Sequence, residues 1–226
     1  MPANVLIVTA TSAEAEIIER FAIRNDSSGN FIFGDISVNI LITGVGTVAT
    51  AWAMTKWLKL NPLPDLAVNA GIAGSYREEI IPGDVVMPVT DCFADAGVET
   101  GEGFMTLAEA GLEDPDRFPF NNGRIVAANR FVSETAGLIK PVAAITVNTI
   151  SGYEATIDRL RKKYNPDIET MEGAAFFYVC SSEKIPFMAL RAISNRVEPR
   201  NRETWNIRLA LDNLELMLKE MLVKLD

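Results

Sequence analysis

The chain alternates between short apolar runs and segments with helical periodicity. The first run, residues 4–10, is continuous and rich in β-branched residues, which is typical of a strand buried on both faces. Residues 12–23 and 47–60 follow strands and carry apolar side chains at helical spacing. The pattern predicts further strands at 31–33, 37–43, 65–69, 83–89, 141–147 and 187–193, and further helices at 153–164, 172–184 and 202–225. This alternation predicts a single α/β domain over residues 1–226, with a mixed, mostly parallel central sheet flanked by helices.

Residues 91–122 interrupt the alternation. They carry many Gly, Asp, Glu and Pro residues with scattered Phe, and they show no sustained period. Long ordered loops in compact domains are commonly functional. We therefore expect a largely irregular excursion with a role at a site, rather than a linker between domains.

Composition excludes several kinds of chemistry. The 226 residues include no His, so Ser-His-Asp and Cys-His catalysis are impossible, and the two cysteines, Cys92 and Cys180, lack metal-ligand spacing. With 21 Lys and Arg against 30 Asp and Glu, the net charge of −9 disfavours nucleic acid and anionic membranes as partners. No basic segment leads into a signal-like apolar stretch. We expect a cytoplasmic protein that uses no metal or cofactor and binds a small molecule.

A glycine motif, Gly44-x-Gly46-x-x-Ala49, lies between a predicted strand and a predicted helix, as the dinucleotide fingerprint does. Binding of NAD would also need an acid at the end of the following strand, where the sequence has Asn69-Ala-Gly71. A lone match to this motif is weak. We favour a tight turn that lets the helix pack closely on the sheet.

Three polar residues fall near strand ends and helix starts, where ligands gather in α/β sheets. Glu14 has a structural alternative, because Thr11-x-x-Glu14 is a capping box. Glu172 would sit favourably in the first turn of a helix, and Asn195 follows an apolar strand, where asparagine is a common turn residue. Taken singly, each residue favours the structural interpretation.

Together, these residues belong to a pattern that resembles the nucleoside phosphorylase and nucleosidase superfamily. The resemblance covers nearly the whole chain, and its specific parts are Thr170-Met-Glu-Gly-Ala-Ala175 and Arg191-Ala-Ile-Ser-Asn195. Further matches are Thr43-Gly-Val-Gly-Thr-Val48, Asn69-Ala-Gly-Ile-Ala-Gly74 and Pro82-Gly-Asp84. The resemblance implies a nucleoside phosphorylase-like fold, cleavage of the N-glycosidic bond of a purine nucleoside, and assembly as a homo-oligomer.

The resemblance also implies roles for individual residues. Glu14 would take a proton from the attacking water, and Glu172 would accept hydrogen bonds from the ribose hydroxyls and favour an oxocarbenium-like state. The other expected substrate contacts are Ile72, Ala73, Gly74, Thr149, Ile150 and Met171. Residues 69–75 contain no Arg to hold phosphate, so water is favoured over phosphate as the nucleophile.

Asn195 departs from the aspartate that the adenosine-type nucleosidases of the superfamily have at this catalytic position. An asparagine amide has two donors and one acceptor, so it can donate toward N7 and O6 of a 6-oxopurine but cannot transfer a proton. Hypoxanthine is therefore the predicted base. The open alternatives are a phosphorylase, a methylthioadenosine/adenosylhomocysteine-type nucleosidase and a non-catalytic nucleoside-binding protein.

The branch of the superfamily that residues 194–200 resemble most acts on a nucleoside with an aromatic, carboxylated substituent at C5′. Candidate walls for its ring are Phe93, Phe104, Phe118 and Phe120, with core packing as the alternative. Candidate partners for its carboxylate are Arg196, Arg200 and Arg202, with surface solubility as the alternative. Residues 91–122 would close this chain's own site or a neighbour's.

Overall fold

The computed structural model describes residues 3–25, 30–101, 103–199 and 201–225. Its strands are β1 (Asn4–Thr9), β2 (Ile23–Arg24), β3 (Phe31–Phe33), β4 (Ile36–Ile42), β5 (Leu66–Ser75), β6 (Val85–Asp91), β7 (Gly97–Thr100), β8 (Gly103–Thr106), β9 (Ile125–Val126), β10 (Lys140–Thr146), β11 (Ile168–Thr170) and β12 (Phe187–Arg196). Its helices are α1 (Ser12–Glu19), α2 (Thr47–Leu60), α3 (Arg130–Thr135), α4 (Glu154–Tyr164), α5 (Gly173–Ser182) and α6 (Ile207–Leu225), with a short 3-10 helix at Arg202–Thr204. Within the described ranges, no helix is both long enough and apolar enough to cross a membrane.

The main sheet is mixed, and its longer ladders are parallel. In the described chain it has ten strands, in the order β11-β10-β6-β12-β5-β1-β4-β3-β2, with β9 paired to β6. Strand β11 also pairs antiparallel with β5, so this side of the sheet closes on itself. The predicted α/β class is confirmed. Closure brings the ends of β5, β11 and β12 to one place.

Both faces of the sheet are buried under helices. Along β1, Val5 and Ile7 pack into a core formed with α1 and α6, whereas Leu6 and Val8 pack into a second core formed with α2 and α5. Two buried faces explain why the strand is apolar at successive positions rather than at every second one.

Two central strands are longer than predicted. The strand expected at 65–69 continues to Ser75, and the strand expected at 187–193 continues to Arg196. Both continue because β5 and β12 pair with each other along this length, which satisfies backbone groups in a segment of small residues. Asn195 therefore lies inside a strand and not in a turn, at a register shift that follows Ile193.

Several short elements have too weak a sequence pattern to be predicted from it. Residues 91–122 are largely turns and irregular backbone, as predicted, but β7 and β8 form a separate two-stranded sheet within them. The sequence pattern also does not predict strands β2, β9 and β11 or helix α3. Elements of two to six residues carry little periodicity, and tertiary pairing stabilises them.

Candidate active site

A cavity of about 240 Å³ opens where β5, β11 and β12 end and where α1 and α5 begin. The predicted site residues on its wall are Glu14, Ile72, Ala73, Gly74, Ile150, Met171, Glu172 and Asn195. Thr149 does not line the cavity and is exposed beside Ile150. Carboxyl ends of parallel strands are the usual ligand position in such sheets.

Glu14 forms the predicted capping box and also faces the cavity. Its Oε2 accepts hydrogen bonds from the Thr11 N–H at 2.9 Å and the Thr11 hydroxyl at 2.9 Å, and the Thr11 hydroxyl in turn accepts from the Glu14 N–H at 3.3 Å. Its other oxygen, Oε1, accepts from the Ile72 N–H at 3.1 Å. The cap and the site are therefore not alternatives, because the cap orients a buried carboxylate toward the cavity.

Glu172 lies at the N-cap of α5, one residue before the helix begins, and not in its first turn. Its Oε1 accepts a hydrogen bond from the Gly46 N–H at 3.0 Å. Burial raises the pKa of Glu172, while Arg191 and the bond from Gly46 act against that rise. The carboxylate is held in place and shielded from water.

The glycine motif explains how the β4–α2 turn reaches Glu172. Gly44 and Gly46 have φ values of +86° and +97°, which residues with a side chain rarely adopt. This conformation makes the turn between β4 and α2 and directs the Gly46 N–H at the Glu172 carboxylate. The tight-turn interpretation of the motif is therefore the one the geometry supports.

Arg191 is a buried cation beside the two acids of the cavity, and the sequence motifs assign it no role. It is 1% exposed, and its guanidinium bonds to the backbone oxygen of Asn69 at 3.2 Å and to that residue's side-chain oxygen. Burial lowers the pKa of Arg191, and the charges of Glu172 and Glu14 oppose that lowering. An arginine inside an apolar strand was the available signal, because a buried cation needs anionic partners.

Gly71 permits this arrangement. A Cβ atom there would lie 2.7 Å from Oε1 of Glu14 and 3.1 Å from Nη1 of Arg191. Both side chains therefore lie against the same glycine. The positive charge of Arg191 thus partly balances the negative charges of both acids that face the cavity.

Asn195 is partly satisfied within the chain. Its amide nitrogen donates to the Arg196 carbonyl at 2.7 Å, and its oxygen accepts from the Ser194 hydroxyl at 2.8 Å. One amide N–H remains for a ligand, rather than the two that its chemistry alone would offer. It can therefore donate to N7 or to O6 of a purine, but not to both in this conformation.

Comparison with known proteins identifies the family. Residues 4–223 match the family model described as the phosphorylase superfamily. The chain belongs to this superfamily. The resemblance inferred from the motifs is confirmed.

The most similar proteins of this superfamily include two futalosine hydrolases. That of Streptomyces coelicolor is 32% identical over 178 residues, which cover 76% of this chain and 73% of that protein. That of Acidothermus cellulolyticus is 31% identical and covers 93% of this chain and 86% of that protein. A 5′-methylthioadenosine/S-adenosylhomocysteine nucleosidase from S. pneumoniae, solved with a transition-state inhibitor, shares the fold with a TM-score of 0.81 at 19% identity, over 99% of this chain and 100% of that one.

The rest of the cavity wall includes apolar residues that the motifs of the superfamily did not indicate. Trp205, Ile207 and Leu211 approach from the C-terminal part of the chain. The four candidate phenylalanines do not line this cavity, since Phe93 and Phe120 pack against Tyr178. Phe104 lies under Arg159, and Phe118 is 68% exposed.

The candidate arginines for the substrate carboxylate remain predictions. Arg196 forms an exposed ion pair with Glu78 at 3.9 Å. Arg200 and the side chain of Arg202 lie outside the described residues.

Asp91 is a buried acid outside the cavity wall, and the sequence motifs assign it no role. It is fully buried, its Oδ1 accepts from the Cys92 N–H at 2.8 Å and the Thr146 hydroxyl at 3.0 Å, and Oδ2 has no hydrogen-bond partner among the described residues. A Cβ on Gly173 would lie 2.1 Å from Oδ2, so only glycine lets α5 begin here. Burial raises the pKa of Asp91 to about 7.

We expect Asp91→Asn to stabilise the protein near neutral pH, by a margin that grows as pH rises from about 4 to about 7. The unfolded carboxyl ionises near 3.8 but the folded one near 7, so wild-type stability falls across this window, by up to ~4 kcal/mol. An unpaired amide would offset ~1–3 kcal/mol of the gain. Urea unfolding at several pH values measures this, with the exposed Asp35→Asn as control; a gain independent of pH would contradict the expectation.

Proposed function

We propose that this chain is a nucleosidase that hydrolyses futalosine to hypoxanthine and dehypoxanthine futalosine, a step of the alternative menaquinone pathway. The observation that carries the proposal is one cavity with Glu14 and Glu172 beside a buried arginine and Asn195 on the same wall. The names of the relatives from Streptomyces coelicolor and Acidothermus cellulolyticus support the choice of substrate.

The two acids would act at the sugar. The Glu172 carboxylate accepts hydrogen bonds from the ribose hydroxyls and stabilises the positive charge that develops on the ring. Glu14 accepts a proton from the attacking water. The oxygen of that water forms a bond to C1′ while the bond from C1′ to N9 breaks. The electron pair of that bond leaves with the purine. Asn195 donates its remaining N–H to the purine and stabilises this negative charge, and the purine takes its proton from solvent.

Water is the proposed nucleophile rather than phosphate. Among the described residues that line the cavity, none is Lys or Arg. The guanidinium of Arg191 is committed to Asn69 and faces two carboxylates. A phosphate ion would thus meet acids without a free cation to neutralise it.

Product analysis tests the proposal directly. The pure protein is incubated with futalosine, inosine and methylthioadenosine, each with and without phosphate, and the released bases are separated by liquid chromatography. Hypoxanthine released from futalosine at the same rate in both buffers is the expected result. Adenine release would select a methylthioadenosine-type nucleosidase, phosphate dependence a phosphorylase, and no release from any substrate a nucleoside-binding protein.

The preference for a 6-oxopurine over a 6-aminopurine should depend on which side chain stands at position 195. We expect Asn195→Asp to move the kcat/KM ratio toward 6-aminopurine nucleosides by roughly ten- to a hundredfold, because a protonated Asp can donate to N7 while its other oxygen accepts from the exocyclic amine. Ser194→Ala, which removes the hydroxyl that Asn195 accepts from, is the matched control. An unmoved base preference in Asn195→Asp would remove Asn195 from base recognition.

Assembly as a homo-oligomer also belongs to the proposal. Val45, Val48 and Trp52 are 56%, 81% and 68% exposed around the start of α2, and Val45 also lines the cavity. A contiguous exposed apolar face commonly marks a protein contact. Sedimentation of the wild type and of Trp52→Glu measures the oligomeric state, and a monomer is expected only for the variant.

A cytoplasmic location stays a prediction.

A further inference from the structure

Glu169 is a buried acid on the cavity wall to which neither the superfamily motifs nor the steps above assign a role. It lies on β11, is 6% exposed and lines the same cavity as Asn195. Among the described side chains, no Lys or Arg forms an ion pair with it. A buried carboxylate without a cation is costly unless hydrogen-bond donors surround it.

The donors around Glu169 leave one acceptor position unused. Its Oε2 accepts from the Ser151 hydroxyl at 2.5 Å and the Tyr76 hydroxyl at 2.9 Å, whereas Oε1 accepts, among the described residues, only from the Ser151 N–H at 2.9 Å. A carboxylate offers roughly four lone-pair positions. Burial raises the pKa of Glu169, and the bonds from Ser151 and Tyr76 act against this rise. One further donor would complete the site.

Sheet register places Glu169 opposite Asn195. Gly74 of β5 pairs with Asn195 on one side and with Glu169 on the other. Residues directly opposite across neighbouring strands point to the same face, and two strand spacings separate these backbones by about 9–10 Å. Gly74 has no side chain of its own there; a Cβ would lie 2.9 Å from Cγ2 of Val197 and 3.3 Å from the Asn195 amide nitrogen, so the Asn195 side chain lies on the Cβ side of the glycine. Glu169, Asn195 and Val197 all line the cavity, so a flat bicyclic base bound there would have a carboxylate on one side and an amide on the other.

We propose that Glu169 selects a 6-oxopurine by accepting the hydrogen bond of its N1–H, on the other side of O6 from the N7 atom to which Asn195 would donate. This inference rests on the proposed function, because it assigns the second edge of the same base. A 6-oxopurine carries a hydrogen on N1, whereas N1 of a 6-aminopurine is an acceptor and would face the carboxylate with its lone pair. Two acceptors forced together in a buried site cost about ten- to a hundredfold in affinity.

Base binding measured by calorimetry tests the inference without turnover. The probes are hypoxanthine, 1-methylhypoxanthine, which has no N1–H, and adenine. In Glu169→Met we expect hypoxanthine to bind roughly ten- to a hundredfold more weakly than in wild type, with 1-methylhypoxanthine and adenine unchanged or tighter. Glu169→Gln keeps groups that can hydrogen-bond to Ser151 and Tyr76, so this variant should fold. Its ratio of hypoxanthine affinity to adenine affinity should fall below that of wild type, but by less than in Glu169→Met.

Tyr76→Phe is the matched control, because it removes a hydrogen bond from Glu169 but keeps the carboxylate. Its base preference should equal that of wild type. Equal weakening of all three bases in both Glu169 variants, or no weakening, would overturn the inference and leave Glu169 a structural residue. If the Glu169 variants gave that result while wild type still bound hypoxanthine, the inference about Glu169 would fail and the proposed function would stand. If wild type bound none of the three bases, the inference and the proposed function would both be overturned.

Discussion

Glu172→Gln should lower kcat on the hydrolysed nucleoside by at least ~100-fold with the fold intact. The substitution removes the negative charge that would face the developing positive charge on the ribose. Glutamine retains an oxygen that can accept the Gly46 N–H, so the turn between β4 and α2 should keep its position. The effect should therefore fall on kcat more than on KM, since the lost interaction is strongest in the transition state.

The control for Glu172→Gln is Glu16→Gln, which removes an exposed acid from α1. Its kcat should match wild type. Circular dichroism and urea unfolding of both variants report the fold. If Glu172→Gln turned over substrate at the wild-type rate, the carboxylate would have no role at the sugar.

Arg191→Met should destabilise the protein by ~3–5 kcal/mol near neutral pH and abolish activity. The guanidinium is buried among Glu172, Glu14 and Asp91, so its removal leaves carboxylates without their cation. Methionine fills much of the same space, so the loss reports charge rather than a cavity.

The loss in Arg191→Met should shrink as pH falls from about 8 to about 5. Burial raises the pKa of Asp91 to about 7, so this carboxyl takes up a proton in this range and no longer needs a cation. Burial also raises the pKa of Glu172, which acts in the same direction. Urea unfolding across this range measures the effect. The control Arg20→Met breaks ion pairs at a 53% exposed side chain and should cost no more than ~1 kcal/mol. A loss in Arg191→Met that stayed constant with pH would contradict this account.

Sequence patterns within a few residues predict those hydrogen bonds of the site that join residues close together in the chain. Thr11 and Glu14 are three residues apart, so the capping box could be inferred and is present. The prediction failed only in treating the cap and the site as alternatives. The same hydrogen bonds that cap α1 also orient the carboxylate. The orientation depends in addition on the Ile72 N–H of β5, a donor that is distant in sequence.

The role of the glycine turn required long-range contacts. Gly46 and Glu172 are 126 positions apart, and their hydrogen bond exists because β4 and β11 belong to one sheet that also carries the intervening strands. No pattern within either segment encodes that bond. The same applies to Arg191, whose partner Asn69 is 122 positions away.

By itself, the sequence determined the α/β class, the buried parallel strands and the motifs that identify the superfamily, because each is written in the order of apolar and polar residues along a short stretch. Only the tertiary structure decided that β11 pairs with β5, that Asn195 lies inside a strand, and that Glu169 and Asn195 pair with Gly74 from its two sides. The reason is physical: side chains from distant segments meet only when strand pairing sets the register, and register depends on the whole sheet.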